Sequence, residues 1–388
     1  MATRLDPLDR SPQLRRLRER ARTDSLPQSL LLLGPEGSGK EFVALELARA
    51  SLCLRNPDGP CGAVDRCAAC RKVASLSHPD VLYSFPAESG LDVAGYRELV
   101  ALRAAQPLRR LPQPSSAILS IGDADDPAPG SIRAIRRFVA GKPFEGRRRV
   151  VIVGDAHRMN RAAANALLKT LEEPPAASLL LLVSHQPHLL PSTVRSRCGR
   201  VQVPPLSPSE LASHLAAAYA LDPEQAAQVA AASSGNARRA LDLLDPVARQ
   251  LADWAALVLG WLVEGDLPAL LRAAEKIPKG QDPGGGKGGS KGADGSLSAS
   301  RDVASRVLDF LIADLLSLAR LGAGASVDPL QARRLGPLRD RIDPADAGYR
   351  AQLMMDARAD LLRNVNVALV LTDTFFRASH PVRRTVEG

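Results

Sequence analysis

An apolar run, Ser29 to Leu33, stops at Gly34 and is followed within a few residues by Glu41 to Ala50, whose apolar side chains recur at helical spacing. This strand, tight loop and helix constrain the fold more than any other segment. The connecting residues, Gly34-Pro35-Glu36-Gly37-Ser38-Gly39-Lys40, have the spacing of a phosphate-binding loop. In such a loop successive backbone N–H groups and the helix N-terminus face phosphate oxygens, and the lysine adds a point charge. Further runs of strand length occur at Val81 to Phe85, Ala117 to Ile121, Arg149 to Val153, Leu179 to Val183 and Arg200 to Val203, with helical patterns at Ser131 to Ala140 and Arg161 to Leu171. Strands alternating with helices predict an α/β domain, a parallel sheet covered on both faces.

After Pro204 and Pro205 the pattern turns helical only. Ser207, three residues before Glu210, has the spacing of a capping box. Ala-rich helices are expected over Pro208 to Leu244 and Val247 to Ile277, and helical periodicity returns at Asp302 to Leu321 and Tyr349 to Arg377. Between them Pro278 to Ser300, with a Gly-Gly-Gly-Lys-Gly-Gly-Ser core, holds too little apolar surface to order itself and reads as a flexible insert. A length of 388 residues accommodates two or three such domains. No apolar run approaches a bilayer span, and the Arg- and Asp-rich Met1 to Arg22 lacks a signal-peptide core, so a cytoplasmic protein without a membrane partner is expected. The net charge of +9 suits a nucleic-acid machine but fits equally well with arginines spread over solvated helix faces.

Two departures bear on catalysis. Glu41 follows Lys40 where the loop motif requires a Ser or Thr to hold magnesium, and a carboxylate there repels phosphates. The strand Arg149 to Val153 leads to Asp155, but Ala156 and His157 stand where a catalytic Glu is expected, so nothing orients a water for attack. ATP hydrolysis is therefore not expected, while intact glycines and Lys40 leave nucleotide binding open.

Downstream, Asn165-Ala166-Leu167-Leu168-Lys169-Thr170-Leu171-Glu172-Glu173-Pro174-Pro175 resembles the bacterial DNA polymerase III clamp-loader family, within the AAA+ P-loop proteins, as does Ser196-Arg197-Cys198. The resemblance implies that Arg197 is an arginine finger reaching the ATP of a neighbouring subunit; otherwise it pairs with a surface carboxylate. It makes Asp155 the acidic end of the Walker B strand and places Ser184 or His185 at sensor 1. Gly235-Asn236-Ala237-Arg238-Arg239-Ala240-Leu241 resembles sensor 2, which turns Arg238 to the chain's own nucleotide site, with an interdomain salt bridge as the alternative. Asn364-Val365-Asn366 onward resembles the collar that holds the clamp-loader pentamer together. The implied organisation is a P-loop domain over 1–205 with a zinc module at about 53–70, a helical lid over 206–245 and an all-α collar over 246–388. The lost catalytic groups point to the non-hydrolysing subunit type. Implied partners are gamma/tau ATPase and delta subunits, the sliding clamp and primer-template DNA.

Cys53, Cys61, Cys67 and Cys70, separated by seven, five and two residues, read as a structural Zn(II) site rather than disulfides, with Asn56 to Pro60 and Gly62 supplying turns. Similar clamp-loader subunits carry four cysteines after the same helix. His78 is not counted as a ligand. Two rival functions remain: an active gamma/tau-type ATPase, and a zinc-dependent nucleic-acid binder. The latter is disfavoured because no aromatic residues interleave the cysteines.

Overall fold

A computed structural model describes residues 6–55, 61, 66–88, 91–109, 111, 117–123, 128–233, 235–284, 297–325, 327, 329–361 and 365–380. The described residues fall into two compact units, one running to Arg239 and the other from Ala240 onward, so the division lies inside helix α10 (Ala237–Leu244).

The first unit is built on five parallel strands, β1 (Ser29–Leu33), β2 (Val81–Ser84), β3 (Arg149–Val153), β4 (Ser178–Ser184) and β5 (Gly199–Gln202), in the order β2-β3-β4-β1-β5. Helices α1 (Pro12–Arg22), α2 (Lys40–Leu52), α3 (Ala68–Ala74), α4 (Val93–Ala105), α5 (Ile132–Ala140), α6 (Arg161–Glu172) and α7 (Ser192–Arg195) surround it. Along each central strand the side chains alternate between the two faces of the sheet. Leu30, Leu32, Val150, Ile152, Leu179 and Leu181 pack with α1 and α2, whereas Leu31, Leu33, Val151, Val153, Leu180 and Leu182 pack with α5 and α6. Both faces are thus covered, which is why β1 and β4 read as unbroken leucine runs rather than alternating ones. This is the expected α/β domain, a parallel sheet covered on both faces. Two further helices, α8 (Pro208–Tyr219) and α9 (Pro223–Ala232), belong to the same unit, and α8 starts on the foreseen capping box.

One expected strand is absent from the sheet. Residues 117–121 make only isolated bridges, Ile118 antiparallel to Ala87 and Leu119 parallel to Met159. Ala117 and Leu119 are buried while Ile118 is 47 % exposed, so the run covers the core on one side only. A strand inside this sheet must bury both sides; this one instead ties the loop after β2 to the turn after β3.

The second unit is all-helical, with α11 (Pro246–Glu264), α12 (Leu267–Lys276), α13 (Leu297–Gly322), α14 (Pro329–Arg339), α15 (Pro344–Leu361) and α16 (Val367–Ala378) around a core that includes Trp254, Leu311, Met354 and Phe375. The helical periodicity expected over 349–377 is carried by two helices, and Asn366 caps the second through its side chain. Buried Arg350 pairs with Asp346 at 2.8 Å and donates to the Leu262 carbonyl. Most of the Gly-rich insert, and the turn residues Asn56 to Pro60 and Gly62, lie outside the described residues, as does Asn364.

Asp80 pins the start of β2. It is fully buried and accepts backbone N–H bonds from Phe144 (2.6 Å), Glu145 (2.9 Å) and Gly146 (2.7 Å). Burial alone raises its pKa, but the three N–H donors outweigh burial and leave it below the ordinary value. Because the folded pKa is the depressed one, the stabilisation is full above the unfolded pKa of about 4 and is lost as pH falls through the folded value. Asp80→Asn should cost about 2 kcal/mol or more at neutral pH in urea unfolding. The gap to the parent should shrink when the comparison is repeated at acidic pH.

Candidate nucleotide site and cysteine cluster

β1 lies between β4 and β5, so the loop after it emerges near the middle of the sheet's C-terminal edge, the usual ligand edge of such sheets. The loop folds tightly on itself. Gly37 has φ +73°, and a Cβ on it would lie 1.8 Å from Asn236 Oδ1. A Cβ on Gly34 would lie 2.2 Å from the Val203 carbonyl oxygen, so the loop cannot tolerate a side chain there. Lys40 is buried; its Nζ donates to the carbonyls of Gly34 (3.0 Å) and Pro35 (2.6 Å). Burial pushes its pKa down to about 8, partly offset by Glu41. Arg10, unremarked in the sequence, donates to the Ser38 carbonyl at 2.7 Å and to that of Pro204.

The start of α10 closes on this loop. The Ala237 N–H donates to the Gly37 carbonyl at 3.0 Å, and Arg238 then reaches two carboxylates, Glu36 (2.9 Å) and Glu41 (3.0 Å). The Arg238 and Glu41 side chains are only 11 % and 8 % exposed. Glu41 thus stands in the magnesium-ligand position and is neutralised by a guanidinium from the same compact unit. Arg238 faces the loop and is salt-bridged there to both glutamates, a geometry that fits either of the two readings left open for it. Glu36, not singled out from the sequence, is its second partner.

Asp155 follows β3 with φ +43° and lies 3.5 Å from His185 Nδ1. Burial raises its pKa, but the His185 hydrogen bond and then Arg238 overcome burial and hold the carboxyl well below the usual carboxylate range. His157 is buried and stacks edge-on to His185, with ring centroids 4.3 Å apart. Burial first, and His185 second, push its pKa down to about 4. Ser184 is turned away; its hydroxyl accepts the Gln186 N–H at 3.2 Å, so His185 is the residue that meets Asp155.

Arg197 lies away from this group. It is exposed, donates to the Thr193 carbonyl at 2.9 Å, and pairs with Glu172 at 2.5 Å, while neighbouring Val194 and Cys198 are buried anchors. An ion pair this exposed contributes at most about 1 kcal/mol and yields readily to a competing anion.

The four cysteines converge where α2 ends and α3 begins. Cys53 ends α2 and Cys67 caps α3, Cys53 and Cys61 Sγ are 3.5 Å apart, and all four sulfurs lie within 4.8 Å of one another. Backbone N–H groups of Cys67 and Cys70 point at the sulfurs of Cys61 (3.3 Å) and Cys67 (3.5 Å), and none of the four forms a disulfide. Such N–H donation suits thiolates on a metal rather than thiols. His78 is not among them; its Nδ1 accepts the Asp80 N–H instead.

With this geometry in place, the family model of DNA polymerase III delta subunits matches residues 10–207, just over half of the chain. The delta' subunit of Pseudomonas aeruginosa is 33 % identical over 205 residues, covering 53 % of this chain and 52 % of its own. The delta' subunit of Bacillus subtilis is 29 % identical over 192 residues, covering 50 % and 46 %. The chain belongs to the delta-prime family of DNA polymerase III clamp-loader subunits. It spans about half the length of the delta' relatives it matches. Bacillus subtilis tau is similar too, 29 % identical over 221 residues, with 55 % of this chain and 32 % of tau covered. Among the described residues, no helix is long and apolar enough to cross a membrane.

Removing the Arg238 guanidinium should expose what Glu41 does. Arg238→Ala takes the guanidinium away from buried Glu41 and should cost about 3 kcal/mol in urea unfolding. Glu41→Gln in the same chain should recover part of that loss; no recovery would mean that Arg238 acts through packing alone.

Proposed function

We propose that this chain is the non-hydrolysing delta-prime subunit of a DNA polymerase III clamp loader, serving replication by lending Arg197 to the ATP of a neighbouring gamma/tau ATPase subunit. The observation that carries the reading is the Arg238–Glu41 ion pair. In a working P-loop the residue at 41 offers magnesium a hydroxyl; here it holds a cation of its own chain, so metal and γ-phosphate face a filled position. Ala156 supplies no base, and Asp155 is engaged by His185. Nucleotide binding without turnover remains compatible with the intact loop. Arg197, on a rigid turn anchored by Val194 and Cys198, needs only to leave an exposed carboxylate to meet a phosphate, and its forked charge suits the transferred phosphoryl group.

The same reading makes 206–245 a lid and the C-terminal helices the collar that joins delta and gamma/tau subunits in a pentameric ring handling the sliding clamp and primer-template DNA. Cys53, Cys61, Cys67 and Cys70 are proposed to hold one structural Zn(II), closing the gap between α2 and α3.

ATP turnover by the purified chain should be negligible. In a reconstituted clamp loader, Arg197→Ala should leave assembly intact and abolish hydrolysis at the one site it serves, a loss of about a thousandfold or more there. Steady turnover by the chain alone, removed by Lys40→Ala, would instead establish an active gamma/tau-type ATPase. For the cysteines, zinc content of the chain isolated under reducing conditions should fall by one equivalent in Cys70→Ser, with a lower Tm; unchanged zinc content would remove the site.

A further inference from the structure

Asp155, His157 and His185 form a cluster of possible metal ligands beside the phosphate loop. They come from the C-terminal ends of the adjacent strands β3 and β4: Asp155 just past β3, His157 in the short turn after it, and His185 just past β4. One ligand atom from each lies within 4.8 Å of the other two. The His185 Nδ1 to Asp155 Oδ1 separation, 3.5 Å, is close to the edge of a tetrahedron whose bonds are about 2.1 Å long, roughly 3.4 Å. A second observation is independent of this clustering. His157 is 8 % exposed, and its Nδ1 is buried without a hydrogen-bond partner among the described residues. A buried imidazole nitrogen left so is costly unless something outside the chain satisfies it.

Around the three residues, Glu36, Glu41 and Asp155 are offset by Lys40, Arg238 and Arg158, so the formal charges cancel and the donor set decides what binds. Two imidazoles and one carboxylate are the donor set of zinc and related transition metals; magnesium takes oxygen ligands and keeps its waters. We propose that Asp155, His157 and His185 bind a divalent transition-metal ion of the Zn(II) class independently of nucleotide, distinct from the four-cysteine cluster. Three protein ligands leave one coordination position for water, and the ion ties the ends of β3 and β4 together beside the phosphate loop.

The test uses the full chain, stripped with a chelator under reducing conditions and equilibrated with ZnCl2 alone. Bound zinc is counted in the parent and in His185→Ala, whose side chain is partly exposed and leaves the core intact. The parent should hold one more zinc per chain than the variant, with affinity at that site at least about tenfold weaker in the variant. The difference is read whether or not the cysteines are loaded, so the two sites fail separately. With Co(II) in place of zinc, the thiolate charge-transfer absorption should be unchanged by His185→Ala while visible absorption from the nitrogen and oxygen site disappears. Asp155→Asn serves as a second variant should His185→Ala misfold. Equal metal content and equal Co(II) spectra in the parent and a folded variant overturn the proposal.

Discussion

The ends of β1, β3 and β4 meet along one edge of a parallel sheet, and this determines what the first unit can do. With β4 hydrogen-bonded between β1 and β3, the glycine loop, Asp155 and His185 all emerge on the same side. Their side chains share one small volume with Glu36, Glu41 and Arg238. In that space a carboxylate or guanidinium is costly unless paired. The pairings observed there, Arg238 with two glutamates and Asp155 with His185, are what such a volume demands.

Replacing a hydroxyl by Glu41 changes the local electrostatics from a site short of negative charge to one that supplies it. Arg238 answers that carboxylate. The effect links a single residue change at the start of α2 to the docking of α10, because Ala237 and Arg238 approach the loop through backbone and side chain at once. Arg197 is free of this network. Its partner Glu172 sits on the string Leu171-Glu172-Glu173 at the end of α6, so Arg197 and that string are neighbours in space.

Much of this was legible in the residue order. Unbroken leucine runs at β1 and β4 announce strands buried on both faces, and Gly34 to Lys40 announces the loop. Glu41 and Ala156 signal the altered site, and the cysteine spacing signals their cluster. The run at 117–121 misled because apolar content alone does not say whether a strand has neighbours on both sides; Ile118 faces solvent and the segment bridges two loops instead. Glu36 gave no signal, since a glutamate in a glycine-rich loop looks like any solvated turn residue. Its importance comes from Arg238, 202 positions away.

The sequence by itself determined the elements: which stretches alternate, which glycines turn, which residue follows Lys40, and which cysteines lie close enough along the chain to share a metal. These are local properties, set by side-chain chemistry and by spacings of a few residues. Tertiary structure alone decided the partners. That Arg238 answers Glu41, that His185 rather than Ser184 meets Asp155, and that His157 is buried follow from which strand ends lie side by side. Such pairings join residues tens to hundreds of positions apart, where chain order carries no distance information until the sheet has formed.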